Sequence, residues 1–190
     1  MARKNRNWIQ GGMYHITTRG IRRSLLFHDD KDREMYLFLL ILAKKRFNFV
    51  VHSYCLMPNH VHLQLEMSTC SPPQIMQYIN SVYANYFNEK YNYTGHVFDR
   101  RYSAFHVGTK SYELDLSRYI HLNPIRAGIA IKTEEYPWSS CRAYTSSLMD
   151  DLVNTSRLLS YFKEPQRDNY LRFLITPTLK HALLKRNIPS

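Results

Sequence analysis

At 190 residues the chain is long enough for one well-buried core and short for two, so a single domain with an appended tail is expected. Lys and Arg number 26 against 15 Asp and Glu, and the formal charge of +11 favours a polyanionic partner, nucleic acid first and an anionic membrane surface second. Eight prolines and six glycines exclude a fibrous or low-complexity chain, while Cys55, Cys70 and Cys141, widely spaced and without a C-x-x-C pair, argue against a disulfide framework or zinc knuckle and fit a reducing cytoplasm.

A basic arm, Arg3, Lys4 and Arg6, opens the chain with no apolar signal-peptide segment after it. The stretch MYHITTRG alternates, is rich in β-branched and aromatic residues, and predicts a first strand ending at Gly20. HDDKDREMYLFLLILAKKR opens with acids and closes with Lys44, Lys45 and Arg46, the polarity that a helix dipole favours. Its apolar middle, Met35 to Ala43, is too short to span a bilayer and reads as a buried helix. FNFVVHSYCLM predicts a second strand, Pro58-Asn59 a tight turn, and HVHLQLEM a third strand antiparallel to the second. Ser71 and two prolines start a second helix, in which Ile75, Ile79, Val82, Tyr83 and Tyr86 recur at helical spacing. After the loop YNYTGHVFDRR, YSAFHVG predicts a fourth strand. The order strand, helix, strand, strand, helix, strand is that of an α+β, ferredoxin-like and RRM-like antiparallel sheet. A third helix, SYELDLSRYIHLN, stops or kinks at Pro124. Residues 1–130 are expected to form the core, and 131–190 an extension of irregular chain and short helices packed on or beside it, with Leu158, Leu159, Tyr161 and Phe162 available for packing.

Strand side chains alternate between faces, so His60 and His62 share one face of the third strand while Val61 and Leu63 share the other. With helices on the Val61 side, the histidine side is the open face of the sheet. Two neutral imidazoles there are half a site for a divalent ion; equally, they are two hydrogen-bonded strand histidines, because H-x-H recurs by chance. On the third helix, at about 100° per residue, Tyr112, Leu116, Tyr119 and Asn123 form one stripe, and Ser117, Arg118 and His121 point away from it. An inward phenol and amide one turn apart can supply a nucleophile for phosphorus and a third ligand; they also suit a core tyrosine and an amide near a helix end. His15, with Thr17 on its face of the first strand, reads as a satisfied sheet histidine, and His121 is excluded as a ligand.

Three ordered motifs, MPNHVHL, GHVFDRRY and RYIHLNPIRAGI, resemble those of the REP-associated tyrosine transposases, a branch of the single-tyrosine HUH superfamily within the IS200-like transposases. The resemblance extends to YHITTRG at the start and YPWSS after the third helix, and the middle motif departs from the commoner form at Asp99 and Arg100, where Gln and Gly are more usual. It implies that His60 and His62 bind a divalent metal, Mg2+ or Mn2+, that Asn123 completes the site, and that Tyr119 is the nucleophile. It also implies a DNA transposase and endonuclease that cuts single-stranded DNA at palindromic repeat hairpins. The tyrosine becomes joined to the 5′ phosphate, and the free 3′ hydroxyl of another strand can reverse that bond. Arg19, Arg22 and Arg23 after the first strand, Arg100 and Arg101 among aromatics in the loop, and Arg126 after Pro124 are the candidate DNA contacts, each also readable as solvated basic surface. The implied protein is cytoplasmic, nucleoid-associated and bacterial, without a membrane partner, and a monomer, with a dimer as the alternative. Two competing classes stand beside this reading, a non-catalytic RRM-like binder of single strands and a metal-dependent phosphodiesterase that attacks with water.

Overall fold

In the computed structural model, which describes residues 8–146 and 150–176, the elements follow the expected order. They are β1 (Met13–Arg19), α1 (Asp30–Phe47), β2 (Val50–Met57), β3 (His60–Glu66), α2 (Pro72–Tyr91), β4 (Ser103–Val107) and α3 (Lys110–Arg126), followed by the short α4 (Cys141–Thr145), α5 (Ser156–Leu159) and α6 (Gln166–Ile175). The basic arm of Arg3, Lys4 and Arg6 lies outside the described residues. The sheet runs β2-β3-β1-β4 with every neighbouring pair antiparallel, the ferredoxin-like α+β arrangement. Among the described residues no helix is long and apolar enough to cross a membrane.

Local chemistry sets the helix ends. The Asp29 carboxylate accepts from the Asp32 N–H at 3.0 Å, Asp32 accepts from the Asp29 N–H at 3.3 Å, and Asn48 closes α1 in the left-handed region at φ 49°. The Gln74 side chain accepts from the Ser71 N–H at 3.1 Å to start α2. The apolar run of α1 is buried along one stripe only. Tyr36, Leu39, Leu40 and Ala43 face the sheet, whereas Phe38 and Ile41 are 53% and 38% exposed, because a helix on the outside of a layered fold has one neighbour.

One face of the sheet, with Tyr14, Ile16, Leu56, Val61, Leu63 and Leu65, packs on α1 and α2. The histidine face is not open, as the alternation alone predicts; α3 covers it, setting Leu116 and Ile120 against Met13, Cys55, Met57 and Val107. Gln64, two residues beyond His62 on the same face, donates to the Glu113 carbonyl at 3.0 Å and accepts from the Ser53 hydroxyl at 2.6 Å, tying α3 to β3. The helix passes Pro124 and continues to Arg126. Proline in the last turn forfeits one hydrogen bond, and the chain leaves the helix only at Gly128, whose φ of 68° suits a residue without a Cβ.

The outward side of α3 is buried as well. Ser117, Arg118 and His121 point away from the sheet, as the stripe requires, but residues from the following segment cover them. The Tyr170 hydroxyl meets the Ser117 hydroxyl and, at 2.7 Å, His121 Nδ1, while Ser140 Oγ lies 2.8 Å from His121 Nε2. Arg118 lies 5.0 Å over the Phe173 ring and donates to the Thr176 carbonyl. The same segment borders β2, where Leu56 N–H donates to Trp138 O at 2.9 Å and Asn154 N–H to Val51 O at 2.8 Å, so this edge is paired and closed to strand addition. Leu158 and Leu159 are buried in the core.

Arg157 joins this segment to both β3 and α3, 3.0 Å from Glu66 and 2.6 Å from the buried Glu113. Arg157→Ala leaves the Glu113 carboxylate with the Tyr161 hydroxyl at 2.8 Å but without its cation. The expected loss of stability is on the order of 2 kcal/mol, moderated because Arg157 is partly exposed. It should appear as a lower urea midpoint at unchanged m-value, with partial recovery in Arg157→Lys.

Candidate active site

The antiparallel register builds the site from three strands. Thr17 and Cys55 flank His62, and Arg19 and Met57 flank His60. His62 Nδ1 lies 3.0 Å from His15 Nε2 and 3.3 Å from the Thr17 hydroxyl, and the His15 ring stacks on it at a centroid distance of 5.2 Å. His62 Nε2 is buried and has no hydrogen-bond partner among the described residues. His60 stands edge-on to His62 at 4.8 Å. Its Nδ1 is 2.7 Å from Asn59 Oδ1, while Asn59 Nδ2 donates to the Arg23 carbonyl at 3.2 Å. That second bond orients the amide, so the Asn59 oxygen faces His60 and Nδ1 carries the proton, leaving the Nε2 lone pair available.

Burial pushes the His15 and His60 imidazoles down to about 4 and His62 well below its usual range; the Arg19 charge adds to this at His60, against a hydrogen bond with Asn123. All three rings are therefore neutral near pH 7, the state in which an imidazole donates a lone pair. The α3 stripe brings Tyr119 and Asn123 to the same place. The Tyr119 ring lies 5.3 Å from that of His62 and 6.0 Å from that of His15, and the Asn123 side chain lies beside His60 and donates at 3.4 Å to the Tyr119 carbonyl. The Arg126 guanidinium sits 5.3 Å over the Tyr119 ring. Among the described residues no three His, Cys, Asp or Glu side chains converge as metal ligands, and the Asn123 amide is the neutral oxygen donor that α3 places beside His60. The orphaned Nε2 of His62, the His60 nitrogen not held by Asn59 and this amide fit a divalent ion.

Arg19 at the end of β1 and the four arginines of the two loops gather at the same end of the sheet. The Gly20–Phe98 bridge, the Ile21 N–H to Val97 O bond at 2.9 Å and the Asp99 N–H to Arg19 O bond at 3.0 Å join the segment after β1 to the loop before β4. Gly20 N–H donates to Asn59 O at 2.9 Å, which adds the β2–β3 turn. Only glycine fits position 20, since a Cβ there would lie 2.2 Å from Ser24 O. Arg22 and Arg23 sit exposed at φ 50° and 64°, and Arg100 and Arg101 are exposed, Arg100 pairing with Asp99 at 3.2 Å.

The sequence profile of the IS200-like transposases matches residues 9–123, from the residue before β1's approach to the amide of Asn123. The chain belongs to the IS200-like transposase family. Its fold is shared by the structure of a REP-associated tyrosine transposase bound to a REP hairpin, at 18% identity and a TM-score of 0.66 over 81% of this chain and 94% of the other. A candidate transposase from Deinococcus radiodurans R1 is similar at 16% identity and a TM-score of 0.44, over 67% and 92% of the two chains. No curated protein matches the sequence significantly.

In this transposase the structure brings together His60, His62, Tyr119, Asn123 and Arg126 and sets Arg19, Arg22, Arg23, Arg100 and Arg101 along one end of the sheet. His121 is remote from the cluster, held by Tyr170 and Ser140. Reasoning on spacing underrated His15 and Thr17, which hold His62 Nδ1, and did not assign Asn59, which orients His60. The available signal was that His15, Thr17 and Arg19 share the face that antiparallel pairing lays beside His60 and His62.

Two tyrosines on either side of α3 should respond differently to loss of a hydroxyl. The Tyr119 hydroxyl makes no hydrogen bond among the described residues, whereas that of Tyr170 is buried between Ser117 and His121. Tyr119→Phe should leave the thermal midpoint nearly unchanged, and Tyr170→Phe should lower stability by about 1–3 kcal/mol. Equal effects in a calorimetric comparison would contradict these assignments.

Proposed function

We propose that this transposase cuts and rejoins single-stranded DNA beside palindromic hairpins, with Tyr119 as the nucleophile that becomes joined to the 5′ phosphate. The observation that carries the reading is the buried, unpartnered His62 Nε2 beside the Tyr119 ring, with His60 and Asn123 completing one polar cluster. The likeness of fold to a REP-associated transposase whose structure holds a REP hairpin supports the choice of substrate.

His60, His62 and Asn123 would hold one divalent ion, Mg2+ or Mn2+. When bound, it supplies Lewis-acid polarisation of a phosphate oxygen, and because its three protein ligands are neutral its charge is not offset by carboxylates. His15 and Thr17 keep His62 in one orientation, as Asn59 does for His60. Tyr119 attacks phosphorus through its phenol oxygen; a P–O bond to tyrosine forms, the P–O3′ bond breaks, and the leaving oxygen takes a proton to become a 3′ hydroxyl. A free phenol is a weak nucleophile at pH 7, with a reference pKa of about 10, and the Arg126 guanidinium, 5.3 Å from the Tyr119 ring centroid, would meet the charge of a phosphate brought to that ring. Because the phosphotyrosine retains the energy of the cleaved bond, attack by another 3′ hydroxyl reverses the step and joins strands. Arg19, Arg22, Arg23, Arg100 and Arg101 bind phosphates of the hairpin and its flank. In this reading residues 1–130 form the catalytic core, 131–190 an extension that steadies α3, and the monomer is the active species.

A 3′-labelled single strand carrying a hairpin, incubated with protein and Mn2+ and then denatured, should leave label on the 22.7 kDa chain. Tyr119→Phe and chelator should each abolish the adduct, and His60→Ala should abolish it while retaining much of the DNA binding. An adduct that survives Tyr119→Phe transfers the role to another tyrosine, and cleavage without any adduct favours attack by water.

Phosphate contacts are separable from chemistry by salt. Replacing Arg100 or Arg126 by Ala should weaken hairpin binding and reduce the salt slope by about one per lost phosphate contact. Titrations of binding at several ionic strengths give that number directly, and an unchanged slope removes the residue from the phosphate path.

A further inference from the structure

His15 and His62 sit diagonally across the β1–β3 pairing as a chain of two stacked rings, and both ends of the chain are left over. Inside the chain, His15 Nε2 lies 3.0 Å from His62 Nδ1, and the Thr17 hydroxyl lies 3.3 Å from each of these two nitrogens. The outer nitrogens, His15 Nδ1 and His62 Nε2, are buried and without a partner among the described residues. The strand neighbours of His15 supply none. Phe105 on β4 has no polar group, and the Gln64 amide on β3 is engaged by the Ser53 hydroxyl and the Glu113 carbonyl. His15 is therefore only half satisfied, unlike His121, both of whose ring nitrogens have partners.

A contact between two ring nitrogens holds one hydrogen, so one ring donates and the other accepts. In neutral rings that choice fixes both outer nitrogens at once. If His15 donates, His62 carries its own hydrogen on Nε2, and that nitrogen has no lone pair for an ion. If His62 donates, its Nε2 lone pair is free, and His15 carries its hydrogen on Nδ1. Orientation of the His62 ring alone does not decide whether it can bind an ion; the position of the shared hydrogen does. Thr17 tolerates either arrangement, because a hydroxyl both donates and accepts. A metal-bound histidine commonly donates its second N–H to a carboxylate or a backbone carbonyl, which can only accept. Here the group in that place is an imidazole, which accepts only in one of its two tautomers and adds no charge to the site.

We propose that His15 is a positioning residue that accepts the His62 Nδ1 hydrogen, so that the ion-loaded site holds His62 Nε2 as a lone pair and His15 as its Nδ1–H tautomer. The proposal rests on the reading of His62 as a metal ligand, and its test separates the two. Protein labelled with 15N-histidine is titrated with Zn2+, a diamagnetic ion that takes neutral imidazoles, and nitrogen shifts and ring couplings report the tautomer of each histidine. His62 should appear ligated at Nε2 with its hydrogen on Nδ1, and His15 with its hydrogen on Nδ1. Mn2+ affinity, read from the paramagnetic resonance signal of the free ion, should fall roughly tenfold in His15→Phe, which keeps a ring but offers no acceptor. Most of it should return in His15→Gln, whose amide oxygen accepts, whereas a merely structural histidine would leave both variants equally weakened. Zn2+ held at His62 while His15 keeps its hydrogen on Nε2 overturns the proposal and leaves the metal site standing. Unchanged Mn2+ affinity in His15→Phe does the same. A His62 Nε2 signal that Zn2+ does not move overturns the metal reading and the proposal with it. Should His15→Phe fail to melt cooperatively, the tautomers of the wild-type protein decide the question alone.

Discussion

The contact between α3 and the histidine face of the sheet converts residues that are far apart in sequence into one polar cluster. Leu116 and Ile120 fill the surface made by Met13, Cys55, Met57 and Val107, and Gln64 fixes the helix to β3 through the Glu113 carbonyl. From that anchor, two further turns of helix carry Tyr119 and Asn123 to His62 and His60. A rotation of α3 by one residue would move the phenol by about 100° and dissolve the site. The position is secured from the other side too, since Tyr170, Ser140 and Arg157 hold Ser117, His121 and Glu113.

Burial has opposite consequences for the two histidine environments. His121 is enclosed with both ring nitrogens partnered, which makes it a structural post between α3, α6 and the Ser140 segment. His62 is enclosed with one nitrogen partnered and the other left over, an arrangement that leaves a buried acceptor unsatisfied by about 1–3 kcal/mol. Such a deficit calls for an explanation, and an ion held by His60 and His62 would supply one.

The arginines illustrate how loops acquire a common direction. Arg22 and Arg23 follow β1, and Arg100 and Arg101 precede β4, nearly eighty residues later in the chain. Pairing of Gly20 with Phe98 aligns the two segments because β1 and β4 are neighbours in the sheet. Charge that composition reports only as an excess thus becomes a rim near the paired histidines, and ion pairs on that rim, such as Arg100 with Asp99, are exposed and contribute little to stability.

Alternation along β1, β2 and β3 and the 3.6-residue stripe of α3 follow from the positions of apolar residues, and they determined the sheet, its helices and the shared directions of His60 with His62 and of Tyr119 with Asn123. Those are local periodicities, set by backbone geometry within one element. The tertiary structure alone decided that α3 lies on the histidine face, that His15 and Thr17 hold His62, that Asn59 orients His60, and that Ser117, Arg118 and His121 are buried under the following segment. Each of these depends on which element packs over which, and period within one element carries no information about its neighbour. The helix past Pro124 and the half-exposed apolar run of α1 belong to the same class, because packing on one side, rather than propensity or composition, settles where a helix ends and which of its faces is dry.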